Sequence, residues 1–81
     1  MKKIKSQPEL NAIGGNIRRI RQNKGMSQKT LSEKLELIPV YICRGSLSRI
    51  ENGDRAITDI EIEAIAHILE VTPNDLFGWP G

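Results

Sequence analysis

Arg44 and Arg49 lie in a short segment, RGSLSRIE at 44–51, whose apolar residues Leu47 and Ile50 stand three apart. On a helix those two share one face, leaving Arg44, Gly45, Ser48 and Arg49 near the other with Ser46 at its margin. A guanidinium offers two parallel donors, a geometry suited to a carboxylate, a phosphate or the acceptor edge of a base. Other chemistry is poorly provided for. Cys43 and His67 are the single cysteine and the single histidine, so neither a Cys/His zinc set nor a histidine-activated nucleophile can be assembled. No phosphate-cradling glycine loop or obvious carboxylate cluster is present either. The chain is therefore expected not to be an enzyme, with no catalytic residue, metal, cofactor or small-molecule substrate. Cys43 reads as a small half-buried residue with no charge partner to lower its pKa, and His67 as a surface or rim residue.

Charge is distributed unevenly. Residues 1–50 carry eleven Lys/Arg against three Glu, net +8, whereas residues 51–81 carry Arg55 alone against seven acids, net −6. A molecule so polarised can offer one basic face to a polyanion. With 81 residues, 38% hydrophobic and only three aromatic rings (Tyr41, Phe77, Trp79), one domain with an aliphatic helical core is expected. Aromatic platforms for stacking bases are not. Lys2, Lys3 and Lys5 suggest a flexible basic arm at 1–8. No apolar run nears the roughly 20 residues of a membrane span, so no membrane partner is expected. The lone cysteine fits a reducing cytoplasm.

The elements that would position these residues follow from periodicity and caps. Leu10, Ile13, Ile17 and Ile20 form one stripe, giving a first helix from Glu9 or Asn11 to Asn23 or Lys24, stopped by Gly25. Gly14 and Gly15 should weaken its first half by about 1 kcal/mol each. Ser27 caps a second helix over 28–35 carrying Leu31 and Leu35. Residues 37–42, β-branched and broken by Pro39, read as an extended connection with a brief strand-like stretch. A third helix spans 44–51, ended by Asn52 and Gly53. Thr58 and Glu61 form a capping box for a fourth, running to about Glu70. Its stripe is Ile62, Ile65, Ala66 and Leu69, with Ile60 and Ile68 off it and partly exposed. Thr72 and Pro73 open a short fifth helix anchored by Leu76 and Phe77.

SQKTLSEKL at 27–35 and SLSRIENGDR at 46–55 resemble the Cro/repressor-type (Xre-like) helix-turn-helix family. GMSQ at 25–28 and SRIENG at 48–53 are the most telling pieces, and the likeness runs from the first helix to Leu76 and Phe77. It implies an all-α, five-helix lambda-repressor-like domain over 9–77, with the helix-turn-helix at helices 2 and 3 and a tail at 78–81. It also implies a sequence-specific double-stranded-DNA-binding regulator, most simply a repressor. The physics of the groove agrees: a major groove about 12 Å wide admits one helix, with Arg44 and Arg49 reading base edges beside Gly45 and Ser48. The resemblance puts Gln28, Asn52 and Arg55 on backbone phosphates, with Lys29 and Ser46 assisting. It pairs Arg21 with Glu51, which as a surface pair would be worth about 0–1 kcal/mol.

Two departures stand out. The connection before the third helix is about five residues longer than the family's usual turn, and Glu36 replaces the glycine that commonly ends the second helix. The second is Gly45, which offers no side chain to a base and costs helix stability, its use being close approach of backbone to DNA; Cys43 also lies where a capping Ser or Thr is usual. A homodimer on a palindromic operator is expected, paired through Ile60 and Ile68 or through residues 76–79. The competing expectation is a protein-interaction module, such as an antitoxin or adaptor built on the same domain.

Overall fold

The computed structural model describes residues 9–80, so the basic arm expected at 1–8 lies outside them. Five helices follow in order: α1 (Gly14–Asn23), α2 (Gln28–Glu36), α3 (Arg44–Glu51), α4 (Asp59–Leu69) and α5 (Pro73–Phe77). No strand occurs among the described residues. The protein is all-α, with α3 packed on α1 and α2, α4 on α2, and α5 on α4 and α1.

Short-range caps set most boundaries. Ser27 Oγ accepts from the Thr30 amide, and Thr58 and Thr72 form reciprocal capping boxes with Glu61 and Asp75. Each satisfies an amide that the first turn of a helix leaves without a partner. Gly25, at φ +69, takes the left-handed conformation that closes α1.

The start of α1 differs from expectation. The helix begins at Gly14, because Asn11 Oδ1 accepts from the amides of Ile13 (3.0 Å) and Gly14 (2.6 Å). Its Nδ2 meanwhile donates to the carbonyls of Ile50 (2.9 Å) and Arg55 (2.8 Å). Asn11 thus clamps the entrance of α1 onto the end of α3. Leu10 falls outside the helix and is exposed, so the apolar stripe starts at Ile13. Gly14 does more than weaken a helix: a Cβ there would overlap the Ile50 carbonyl oxygen, and only glycine lets α1 and α3 approach so closely.

Residues 37–39 form a turn, and residues 40–43 have no regular structure. The amides of Ile38 and Val40 both donate to the Leu35 carbonyl, and Leu37 donates to Lys34. With no neighbouring strand, this backbone bonds back onto the end of α2. Leu37 keeps a right-handed conformation (φ −70°), so α2 ends without a left-handed residue and Glu36 stands where a glycine is otherwise usual. Ser32 Oγ donates to the Ile42 carbonyl at 2.7 Å, and Ile42 is buried. The longer connection is therefore fastened to α2 just before α3 begins.

The core is aliphatic. Ile13, Ile17, Leu31, Leu35, Ile42, Leu47, Ile50, Ile65, Leu69 and Leu76 are each at most 1% exposed. Ile20, Ile62 and Ile68 are half-buried against it. Phe77 stacks on Trp79 with ring centroids 4.4 Å apart.

Candidate nucleic-acid interface

α3 is held from one side only. Leu47 and Ile50 are buried completely, while Arg44, Gly45 and Arg49 are exposed and Ser46 and Ser48 half-buried. Arg44 forms no hydrogen bond or ion pair with any described residue. Arg49 Nη2 donates to Ser46 Oγ at 3.3 Å, a long contact within one helical turn. The outer surface of the helix therefore carries two positive charges that the fold does not use.

The inner end of α3 is different. Glu51 is buried, and its carboxylate receives Arg21 Nε on Oε2 (2.7 Å) and Arg21 Nη2 on Oε1 (2.8 Å). Arg21 Nη1 donates to the Met26 carbonyl (2.8 Å), and Gln28 Nε2 to Glu51 Oε1 (3.0 Å). The network joins α1, the α1–α2 connection, α2 and α3. The pair is not the surface bridge its sequence suggests, since the side chains of Arg21 and Glu51 are 8% and 0% exposed. Burial pushes the Glu51 carboxyl up, but the hydrogen bonds of Arg21 and Gln28 and the charges of Arg21 and Arg18 outweigh it, holding the group below the usual carboxylate range. The carboxylate in turn raises the Arg21 guanidinium.

Around this network lie the other residues singled out by sequence. Gln28 opens α2 and is half-buried, and Lys29 is exposed beside it. Asn52 caps α3 from an exposed position, where its Oδ1 accepts from Arg18 Nη2 at 3.1 Å. Arg55 is engaged elsewhere: its Nη1 and Nη2 donate to the two oxygens of Glu61, each at 3.0 Å, and Nη1 also meets the Ala56 carbonyl. That pair raises the Arg55 guanidinium and lowers the Glu61 carboxyl, to which the Thr58 amide also donates.

Three features escaped the sequence reading. Asn11 carries no family or periodicity signal. Arg18 had one, since it precedes Arg21 by three residues and so shares its side of α1. Cys43 is exposed, not half-buried, and caps α3 without a side-chain hydrogen bond to the backbone. Its Sγ lies 3.4 Å from Ser46 Oγ. That hydroxyl, the Ser46 and Gly45 amides and the Arg49 charge draw the thiol below its ordinary value.

Two helices, α2 and α3, joined by the fastened connection at 37–43, the second anchored by its apolar residues and showing guanidinium groups outward, define a helix-turn-helix DNA-binding protein. The helix-turn-helix family profile matches residues 17–76, and the chain belongs to that family, of the Xre/Cro type. No curated protein sequence matches the chain. Solved structures do. The restriction-modification controller protein C.AhdI from Aeromonas hydrophila is 29% identical with a TM-score of 0.73, over 84% of this chain and 96% of that one. The clp gene regulator ClgR from Corynebacterium glutamicum is 25% identical with a TM-score of 0.73, over 85% and 71%. The hypothetical transcription factor NHTF from Neisseria is 26% identical with a TM-score of 0.72, over 95% and 83%. The chain is a DNA-binding regulator of transcription and not an enzyme. No helix among the described residues is long and apolar enough to cross a membrane.

Proposed function

We propose that the protein is a transcriptional repressor acting in the cytoplasm, and that it binds a palindromic DNA operator as a homodimer with α3 in the major groove. The observation that supports this most is the division of α3, with Leu47 and Ile50 at 0% exposure and Arg44 and Arg49 open to solvent on the other side. Arg44 and Arg49 read base edges, each pairing its two donors with guanine O6 and N7, while Gly45 and Ser48 sit close to the bases between them. Gln28, Lys29, Ser46 and Asn52 contact backbone phosphates and set the register of the helix. Arg55 contributes least to that set, because Glu61 already balances its charge.

A single α3 reaches few base pairs, and pairing two copies doubles the contact set. Among the residues expected to pair two copies, Leu76 is fully buried and unavailable, while Ile60 (65% exposed) and Trp79 (59% exposed) offer apolar surface to the partner copy. The test is selection of bound duplexes from a random DNA pool, followed by titration of the recovered site at several salt concentrations. The reading expects a two-fold symmetric consensus bound by two protomers, with affinity that falls steeply with salt. Recovery of no consensus, or affinity indifferent to salt, would overturn it.

A further inference from the structure

Arg18 is the one guanidinium in the Glu51 network that remains accessible. Its Nε lies 3.5 Å from Glu51 Oε1, and its side chain is 46% exposed while that of Glu51 is 0% exposed. Two arginines thus face one carboxylate. Arg21, buried and bonded through Nε, Nη1 and Nη2, accounts for the carboxylate charge. Arg18 is left as the surplus positive charge of the network, at the junction of α1, α2 and α3. Of its five N–H donors, one on Nη2 goes to Asn52 Oδ1. Its Nη1 donors meet no acceptor among the described residues.

We propose that Arg18 is a further phosphate-contacting residue of the DNA interface and that it also orients Asn52. This inference rests on the DNA-binding reading above and deepens it. An amide side chain presents either a carbonyl or an NH2 group to an incoming anion, and only the second attracts it. Arg18 holds the Asn52 carbonyl toward α1, which directs Nδ2 the opposite way. Gln28 is held by the same carboxylate oxygen that Arg18 approaches, so the first turn of α2 and the C-terminus of α3 are referred to a single buried group. A phosphate at this junction meets the Arg18 charge and an amide already turned as a donor. Preorganisation of this kind raises affinity without reading sequence.

The experiment uses the full chain, a duplex recovered by selection and a mixed-sequence duplex, with dissociation constants measured across a salt series. Arg18→Ala is expected to weaken both duplexes by a similar factor, about tenfold at low salt, as befits loss of a charge-assisted hydrogen bond. It should also reduce the slope of log affinity against log salt by about 0.9, the value for one phosphate contact. Arg18→Lys is expected to keep the slope and lose part of the affinity, because a lysine keeps the charge but not the fixed donor toward Asn52. An unchanged slope and affinity in Arg18→Ala would overturn the proposal. Should that variant melt below the assay temperature, Arg18→Lys and Arg18→Gln decide the matter, and equal slopes for the two would overturn it. Arg49→Ala, which should change base preference and not slope, shows separately whether the DNA-binding reading stands.

Discussion

The two sides of α3 use the same functional group in opposite ways. On the inner side Arg21 is 7% exposed, and all three of its nitrogens donate to carboxylate or carbonyl oxygens. On the outer side Arg44 and Arg49 are exposed, and the single hydrogen bond between them and the fold is the 3.3 Å contact from Arg49 to Ser46. The inner guanidinium is fixed by groups that travel with the protein, so it defines where α3 sits. The outer ones keep their donors for something the protein does not supply. A rigid inner network matters to the outer surface because a helix inserted into a groove must arrive in one orientation. A shift of a few tenths of an ångström at Ile50 or Glu51 would be carried to every outward side chain.

The largest expected effect comes from breaking the inner side. Glu51→Gln leaves the Arg21 charge buried without a counter-ion, and a loss of about 3–5 kcal/mol in unfolding free energy is expected by urea titration. Arg55→Ala, which breaks the more accessible pair with Glu61 (30% and 12% exposed), should cost less, about 1 kcal/mol. Equal losses from the two variants would mean that burial of the inner pair has no energetic consequence. The same contrast governs acid stability. Glu51 and Glu61 are both held below the usual carboxylate range, so the unfolded chain binds more protons than the folded one. Their contribution is then fully present above the unfolded pKa of about 4.3 and disappears as pH falls through the folded values. The urea midpoint should therefore decline on acidification below about pH 5, and Glu51→Gln should flatten that decline. A midpoint that stays level from neutral to acid pH would contradict the assignment.

Breaking the outer side should look different. Arg49→Ala and Arg44→Ala should each cost about 1–3 kcal/mol of discrimination at one base position in a competition assay with the selected duplex. Their unfolding free energies should stay within about 0.5 kcal/mol of the parent, as for ordinary surface changes. A variant that loses stability and specificity together would show that the outer arginines also brace the helix.

What the sequence disclosed tracks the range of the interactions involved. Ser27, Thr58 and Thr72 cap residues three positions away, and the apolar repeats of α2 to α5 are local too, so these elements are readable from the chain. The entrance of α1 is legible only in part: Asn11 bonds the Ile13 and Gly14 amides locally, but what fixes its side chain there is Ile50 and Arg55, which are 39 and 44 positions distant. The connection at 37–42 misleads in part for a related reason: its β-branched composition suggests a strand-like stretch, yet a strand needs a neighbour, and residues 37–39 turn back onto the end of α2 instead. In the interface, the residue types of α3 and their facing are local and legible. The burial of Arg21 with Glu51 and the exposure of Cys43 depend on how three helices meet, which no spacing rule encodes; the three-residue step from Arg18 to Arg21 places Arg18 on the right side of α1 but does not bring it to Asn52.

The smallest expected effect sharpens the comparison most, because it separates a glycine that neither the fold nor the partner needs from one kept for the partner. Gly15 and Gly45 both lie in the first turn of a helix, both are exposed, and a Cβ at either would meet nothing within 4 Å. On the folded protein alone, alanine at either position should be tolerated and should stabilise it, by up to about 1 kcal/mol. The two differ in what they face: Gly45 follows Arg44 on the outer side of α3, whereas Gly15 belongs to α1. Gly45→Ala is therefore expected to raise the melting temperature while weakening binding to the selected duplex, since its methyl group would occupy space the DNA approaches. Gly15→Ala should raise the melting temperature and leave DNA affinity unchanged. Full affinity in Gly45→Ala would mean that the DNA surface stands off from the start of α3, moving the reading of bases toward Ser48 and Arg49.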